Sequence, residues 1–193
     1  YFLNSTTEKT SIKELINSFD RFQEKGIIVW ANPNSNGSKT NGSNQSQTQG
    51  KGTGIESMFP KYYPQLKDAF INTVNVDLIG TKGSGSETYR LVSEKCGESA
   101  EWCVAGDGEK IRTLHWREGY YDRTGGGTSF VAPQVSAAIA LVAQAFPTQT
   151  PAQWTARILA SANKNLKKDA NGASMSNTGD DYSFKLIGWR DFG

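Results

Sequence analysis

Gly126-Gly127-Thr128-Ser129-Phe130-Val131-Ala132-Pro133 is the stretch whose reading decides the fold. It sets a serine in a glycine turn, directly ahead of a run of small and apolar residues from Val131 to Phe146. That run reads as a buried helix, so Ser129 falls at a helix N-terminus. Free backbone N–H groups and the helix dipole favour negative charge at that end. A serine nucleophile needs such a setting, because an oxyanion forms beside it. A plain Gly-Thr-Ser turn capping a core helix is the competing reading of the same residues.

Upstream, Ser11-x-x-Glu14 has the form of a capping box, with Ile12, Leu15, Ile16 and Phe19 at helical spacing. This predicts a helix running to about Lys25 and stopped by Gly26. Ile27-Ile28-Val29-Trp30-Ala31 is a short continuous apolar run, the pattern of a buried parallel strand. A helix followed by a buried strand is one unit of a doubly wound α/β sheet. Phe70 to Val76 alternates within a strand predicted over 69–79, and Trp102-Cys103-Val104-Ala105 is a further strand candidate. Thr150-Pro151 supplies an N-cap and an N1 proline for a last helix over 151–162, with Trp154, Ile158 and Leu159 on one face. Residues 35–55 are almost all small and polar and are expected to form a mobile loop.

The 193 residues suffice for one domain with a core. A net charge of +2 is too small to argue for nucleic acid or an anionic membrane. No stretch of the sequence reads as a transmembrane span. Tyr1-Phe2-Leu3-Asn4-Ser5 lacks the charged start and long apolar centre of a signal peptide, so a processed N-terminus or a piece of something longer is expected. The two cysteines, Cys96 and Cys103, are close in sequence, and with one histidine in the chain a zinc site is short of ligands. A local disulfide is the better reading. It contributes about 2.5 kcal/mol in the chain-entropy model and implies an oxidising compartment.

Gly127, Thr128, Ser129 and Pro133 match Gly-Thr-Ser-x-x-x-Pro, and the segment resembles the serine motif of the subtilisin-like serine proteases, the subtilases. The resemblance implies an α/β fold with a mainly parallel sheet and helices on both faces. It also implies peptide-bond hydrolysis with Ser129 as nucleophile. Gly26 to Asn34 resembles the family's strand that ends in Ala-Ala-Gly-Asn, whose asparagine donates to the oxyanion. Asn34 is the expected donor, with Asn32 and Asn36 as alternatives, and Pro33 stands where glycine is usual. By the same resemblance Ala31, Asn32 and Pro33 line the primary specificity pocket. Leu3-Asn4-Ser5-Thr6 looks like the strand that pairs with an extended substrate, which gives Thr6 and Thr7 to the substrate edge. Cys96-Gly97 through Trp102-Cys103-Val104-Ala105-Gly106 resembles a segment of subtilases carried by Gram-negative autotransporters, with Gly106 where proline is usual, and supports the disulfide. A secreted or cell-surface location follows from that likeness. Ile187 to Gly193 resembles the close of the family's catalytic domain, with Arg190 off pattern.

Serine needs a base, and the base an orienting carboxylate. The family's order is Asp, His, oxyanion Asn, Ser. His115 is the chain's one histidine; it follows Asn34 and lacks a His-Gly-Thr setting. The expectation is therefore that residues 1–193 are the C-terminal portion of a single peptidase domain. An N-terminal portion carrying Asp and His would be its partner, beside a polypeptide substrate. The second reading is a catalytically inactive module that binds or scaffolds. No cofactor is expected. Calcium is common in the family, but Asp180-Asp181 is only an adjacent pair and no ligand set is evident.

Overall fold

The computed structural model describes residues 6–34, 54–79, 88–115, 119–122 and 126–162. Helix α1 spans Thr6–Gln23 and leads into strand β1, Ile28–Ala31. Two single turns of 3-10 helix and the short helix α2, Phe59–Tyr62, then carry the chain to β2, Phe70–Ile79. Pro60 and Pro64 cut this connection into short pieces, because proline cannot continue a helical ladder. Strand β3, Thr88–Leu91, is followed by a 3-10 segment at 97–102 and β4, Cys103–Asp107. A separate antiparallel pair, β5 (Arg112–His115) and β6 (Gly119–Asp122), precedes α3, Thr128–Ala145, and α4, Pro151–Ser161.

Strand β2 is the spine of the sheet. It pairs parallel with β1 in the register Ile28 to Phe70, and parallel with β4 in the register Asn72 to Cys103. Its far end pairs antiparallel with β3. The sheet is thus mainly parallel, and alternate residues separate its two faces. Val29, Ile71 and Val104 point to α3 and α4, where they meet Val131, Val135, Ala138, Val142 and Ile158. Ile28, Phe70 and Trp102 point the other way and pack with Phe19 of α1 and Trp30. Helices therefore cover both faces, as the doubly wound reading required. Fully burying an aliphatic side chain of this size stabilises by roughly 1.5–3 kcal/mol, so the Ile71–Val104–Val131 contact holds α3 firmly on the sheet.

The disulfide forms. Cys96 and Cys103 are joined, with Cα atoms 5.9 Å apart. The last helix starts where expected: the Thr150 side chain accepts from the Gln153 N–H, and the Gln153 side chain accepts from the Thr150 N–H. Trp154, Ile158 and Leu159 all pack in the α3–α4 cluster.

Other boundaries move. The Ser11–Glu14 pair lies inside α1 rather than at its start, because nothing from Thr6 to Thr10 breaks a helix and propagation extends N-terminally. Thr6 and Thr7 are therefore in a helical turn, whose backbone offers no extended edge to a substrate. Helix α1 ends at Gln23, two residues early. The Lys25 and Gly26 N–H groups both donate to the Phe22 carbonyl, and the Phe22 ring folds over Gly26 so closely that a Cβ there would lie 2.5 Å from it. Helix α3 is also long and apolar enough, at 18 residues, to pass for a membrane span, contrary to the sequence reading. Packing on the sheet buries one face of it, Thr128, Val131, Val135, Ala138 and Val142, so the buried-helix reading holds for that face alone among the described residues. Residues 35–53, Asn36, Asp180-Asp181 and Ile187 to Gly193 lie outside the described residues, as does the His115 side chain.

Candidate functional site

Parallel α/β sheets place ligands beyond the carboxyl ends of their strands. In this chain β1 ends at Ala31 and runs on to Asn34, while β4 ends at Asp107 and runs on to Gly108. The turn that opens α3 lies across both extensions. The Gly127 N–H donates to the Gly108 carbonyl at 3.4 Å, and the Thr128 N–H donates to Asn34 Oδ1 at 3.0 Å. The Thr128 hydroxyl donates to the Asn32 carbonyl at 2.6 Å, with Asn34 Oδ1 3.3 Å away. Thr128 is 1% exposed, whereas Ser129, the next residue, is exposed. The turn is anchored through the threonine and presents the serine.

Two backbone facts shape that presentation. The Phe130 N–H closes a tight first turn on the Gly127 carbonyl at 2.9 Å. Pro133 has no N–H to return to the Ser129 carbonyl four residues back. Among the described residues the Ser129 N–H has no hydrogen-bond partner. Gly127 approaches Asn34 closely, since a Cβ on it would lie 3.0 Å from Oδ1. The Asn34 amide is thus seated against the start of α3 with its oxygen inward. Its Nδ2 is then the end left to donate elsewhere.

Asn32 is placed otherwise. It is 1% exposed, and its Nδ2 donates to the Glu94 and Lys95 carbonyls at 3.0 and 3.1 Å. Its Oδ1 lies 3.4 Å from the Gly54 N–H and from Asn72 Nδ2. The amide is a brace between three segments, with both its ends committed to them. Ala31 is half-buried in β1. Pro33 is exposed, accepts the Glu94 N–H through its carbonyl at 3.1 Å, and packs against Gly54. The structure joins Asn32 and Asn34 to the turn that presents Ser129 through Thr128, with Ala31 and Pro33 beside them in the chain. Thr6 and Thr7 stand in α1, outside this group.

A family model described as the subtilase family matches residues 3–189. The chain belongs to the subtilase family. Serotype-specific antigen 1 of Mannheimia haemolytica is 29% identical to this subtilase over 152 residues, covering 68% of the chain and 15% of the antigen. Among solved structures, sphericase superposes with a TM-score of 0.56 at 19% identity, covering 91% of the chain and 53% of that protein. The structure reported for subtilase cytotoxin SubAB assembly gives 0.55 at 21% identity, covering 79% and 46%. At these identities the structural likeness speaks for the fold. The chain spans about half the length of these subtilase structures and 15% of the antigen.

The sequence singles out Ser129 and Asn34 through the Gly-Thr-Ser stretch and the strand before it, and the structure seats Asn34 against the turn that presents Ser129. Reasoning from sequence missed Thr128 as the anchor and the group Asn75, Gly108 and Glu109 beneath the turn. The available signal was faint, since Asn75 is one of four polar residues in β2, with Asn72, Thr73 and Asp77. Among the described residues no group of three or more His, Cys, Asp and Glu is arranged to hold a metal.

Proposed function

We propose that this subtilase contributes the nucleophile and oxyanion hole of a serine endopeptidase acting on extracellular proteins. Ser129 Oγ attacks the peptide carbonyl. The oxyanion is met by the Ser129 N–H and by Asn34 Nδ2. The observation that carries this is the hydrogen bond from the Thr128 N–H to Asn34 Oδ1. It fixes the rotation of the Asn34 amide, so that a preorganised donor stands beside an exposed serine at a helix start.

The base is a histidine oriented by an aspartate, both contributed by an N-terminal portion of the peptidase domain. His115 sits in β5, paired with Gly119 across the hairpin, so it is not assigned the role. Among the described residues β1 is hydrogen-bonded to β2 alone, and the N-terminal portion adds its strands at that edge. Ala31 and Pro33 line the primary specificity pocket, and Asn32 stiffens its wall. A buried disulfide and the likeness to a serotype-specific antigen support a secreted or surface location on a Gram-negative cell.

A fluorophosphonate probe tests the reading on the full-length protein. Covalent labelling at Ser129, lost in Ser129→Ala and absent from the chain without its N-terminal portion, is the expected result. A folded full-length protein that takes no label would move the assignment to a binding or scaffolding module.

A further inference from the structure

We infer that Asn75 and Glu109 act as a positioning pair that sets where the Ser129 turn lies; this rests on Ser129 being the nucleophile. Asn75 is 1% exposed in the middle of β2, the central strand. A buried amide is costly unless both ends are bonded. Both are. Asn75 Oδ1 accepts the Gly108 N–H at 2.8 Å, and Nδ2 donates to Glu109 Oε1 at 2.6 Å. The orientation follows from chemistry, since a peptide N–H can only donate and a carboxylate can only accept. The Asn75 backbone is held too: its N–H donates to the Ser93 hydroxyl at 2.9 Å, and its carbonyl accepts the Val92 N–H at 3.0 Å.

The amide thus clamps the Gly108–Glu109 peptide to the end of the sheet. That peptide is the surface on which the serine turn rests. The Gly108 carbonyl accepts the Gly127 N–H, and a Cβ on Gly108 would lie 2.7 Å from the Gly127 carbonyl. Gly126 has no space for a Cβ, because the Gly108 carbonyl and the Glu109 carboxylate occupy it. Lys110 follows with φ of 53°, a left-handed conformation that a lysine holds only where its surroundings impose it. Gln134 of α3 closes the bracket by donating to the Asp107 carbonyl at 2.9 Å. Contact runs unbroken from Asn75 through Gly108 to Gly127, two residues before Ser129. Asn75 is buried below the turn and acts only through it.

Asn75→Asp keeps the size and the bond to Gly108 but turns a carboxylate oxygen toward Glu109. In the full-length protein it is expected to lower kcat about tenfold or more, with KM within about twofold, because the oxyanion geometry shifts and the substrate walls do not. Adding Glu109→Gln returns a donor to the pair from the opposite side, and kcat is expected to recover to within about threefold of wild type. Kinetics on a peptide substrate, fluorophosphonate labelling rates and a thermal melt of each variant decide it. Asn75→Asp with wild-type kcat overturns the pair, as does a double variant that melts like wild type yet stays slow. If Asn75→Asp alone does not fold, the double variant carries the test by the same criterion. A wild-type protein that takes no label at Ser129 removes the reading beneath the inference, and the inference with it.

Discussion

Asn32 and Asn34 are two residues apart and chemically identical, yet their amides do different things. The Asn32 amide is committed inward to Glu94, Lys95, Gly54 and Asn72. The Asn34 oxygen is committed to the Thr128 N–H. Asn34→Asp separates the two ends of the Asn34 side chain: it keeps the acceptor for Thr128 and removes the donor. The melting temperature should hold while kcat falls by roughly tenfold to hundredfold, the cost of losing a hydrogen bond to a charged group. Parallel thermal melts and peptide kinetics would show the split; a large drop in melting temperature at unchanged kcat would contradict the assignment. The placement of Ser129 at a helix start was legible because glycines, a serine and an apolar run follow one another in the chain. The burial of Asn32 was not, because it depends on where Glu94 and Lys95 return in space. Glu109 gave no sign at all, since its importance comes from a contact made by Asn75 on another strand.

Helix α3 meets strand β4 at a point with no spare room. A Cβ on Gly106 would lie 2.6 Å from Val131 Cγ1. Valine in a helix is stiff at χ1 and cannot swing clear. Gly106→Ala is therefore expected to destabilise by about 1–3 kcal/mol, the usual cost of overpacking. Adding Val131→Ala should recover part of that loss, so that the two changes are not additive. Urea unfolding of the two single variants and the double measures the coupling, and strict additivity would disprove the contact. At this scale the sequence was most readable where local rules act alone. The cap of α4 and the alternation of β2 needed no partner. The start of α1, strand β3 and the β5–β6 pair were missed because tertiary packing and pairing, not local pattern, define them.

In the whole molecule, two helical layers enclose a sheet whose carboxyl ends carry the site, and one covalent link ties a sheet strand to the segment before it. Cys96 and Cys103 are both fully buried and sit in the cluster with Val74, Val76 and Ala105. Asn32 draws on the Glu94 and Lys95 carbonyls just ahead of this link, so the link also steadies the wall beside Ser129. Replacing both cysteines by alanine should lower stability by about 2–3 kcal/mol, read as a shift in the urea midpoint. An unchanged midpoint would show that the link adds nothing to the fold.

That bridge also constrains how the protein is made. Within residues 1–193 a single pairing exists, between Cys96 and Cys103. Both sulfurs are sealed once β4 takes its place in the sheet. An oxidant must therefore act on the nascent or loosely folded chain, before the sheet closes. A cell that delivers this protein already folded to its oxidising compartment would deliver it reduced, with its thiols out of reach.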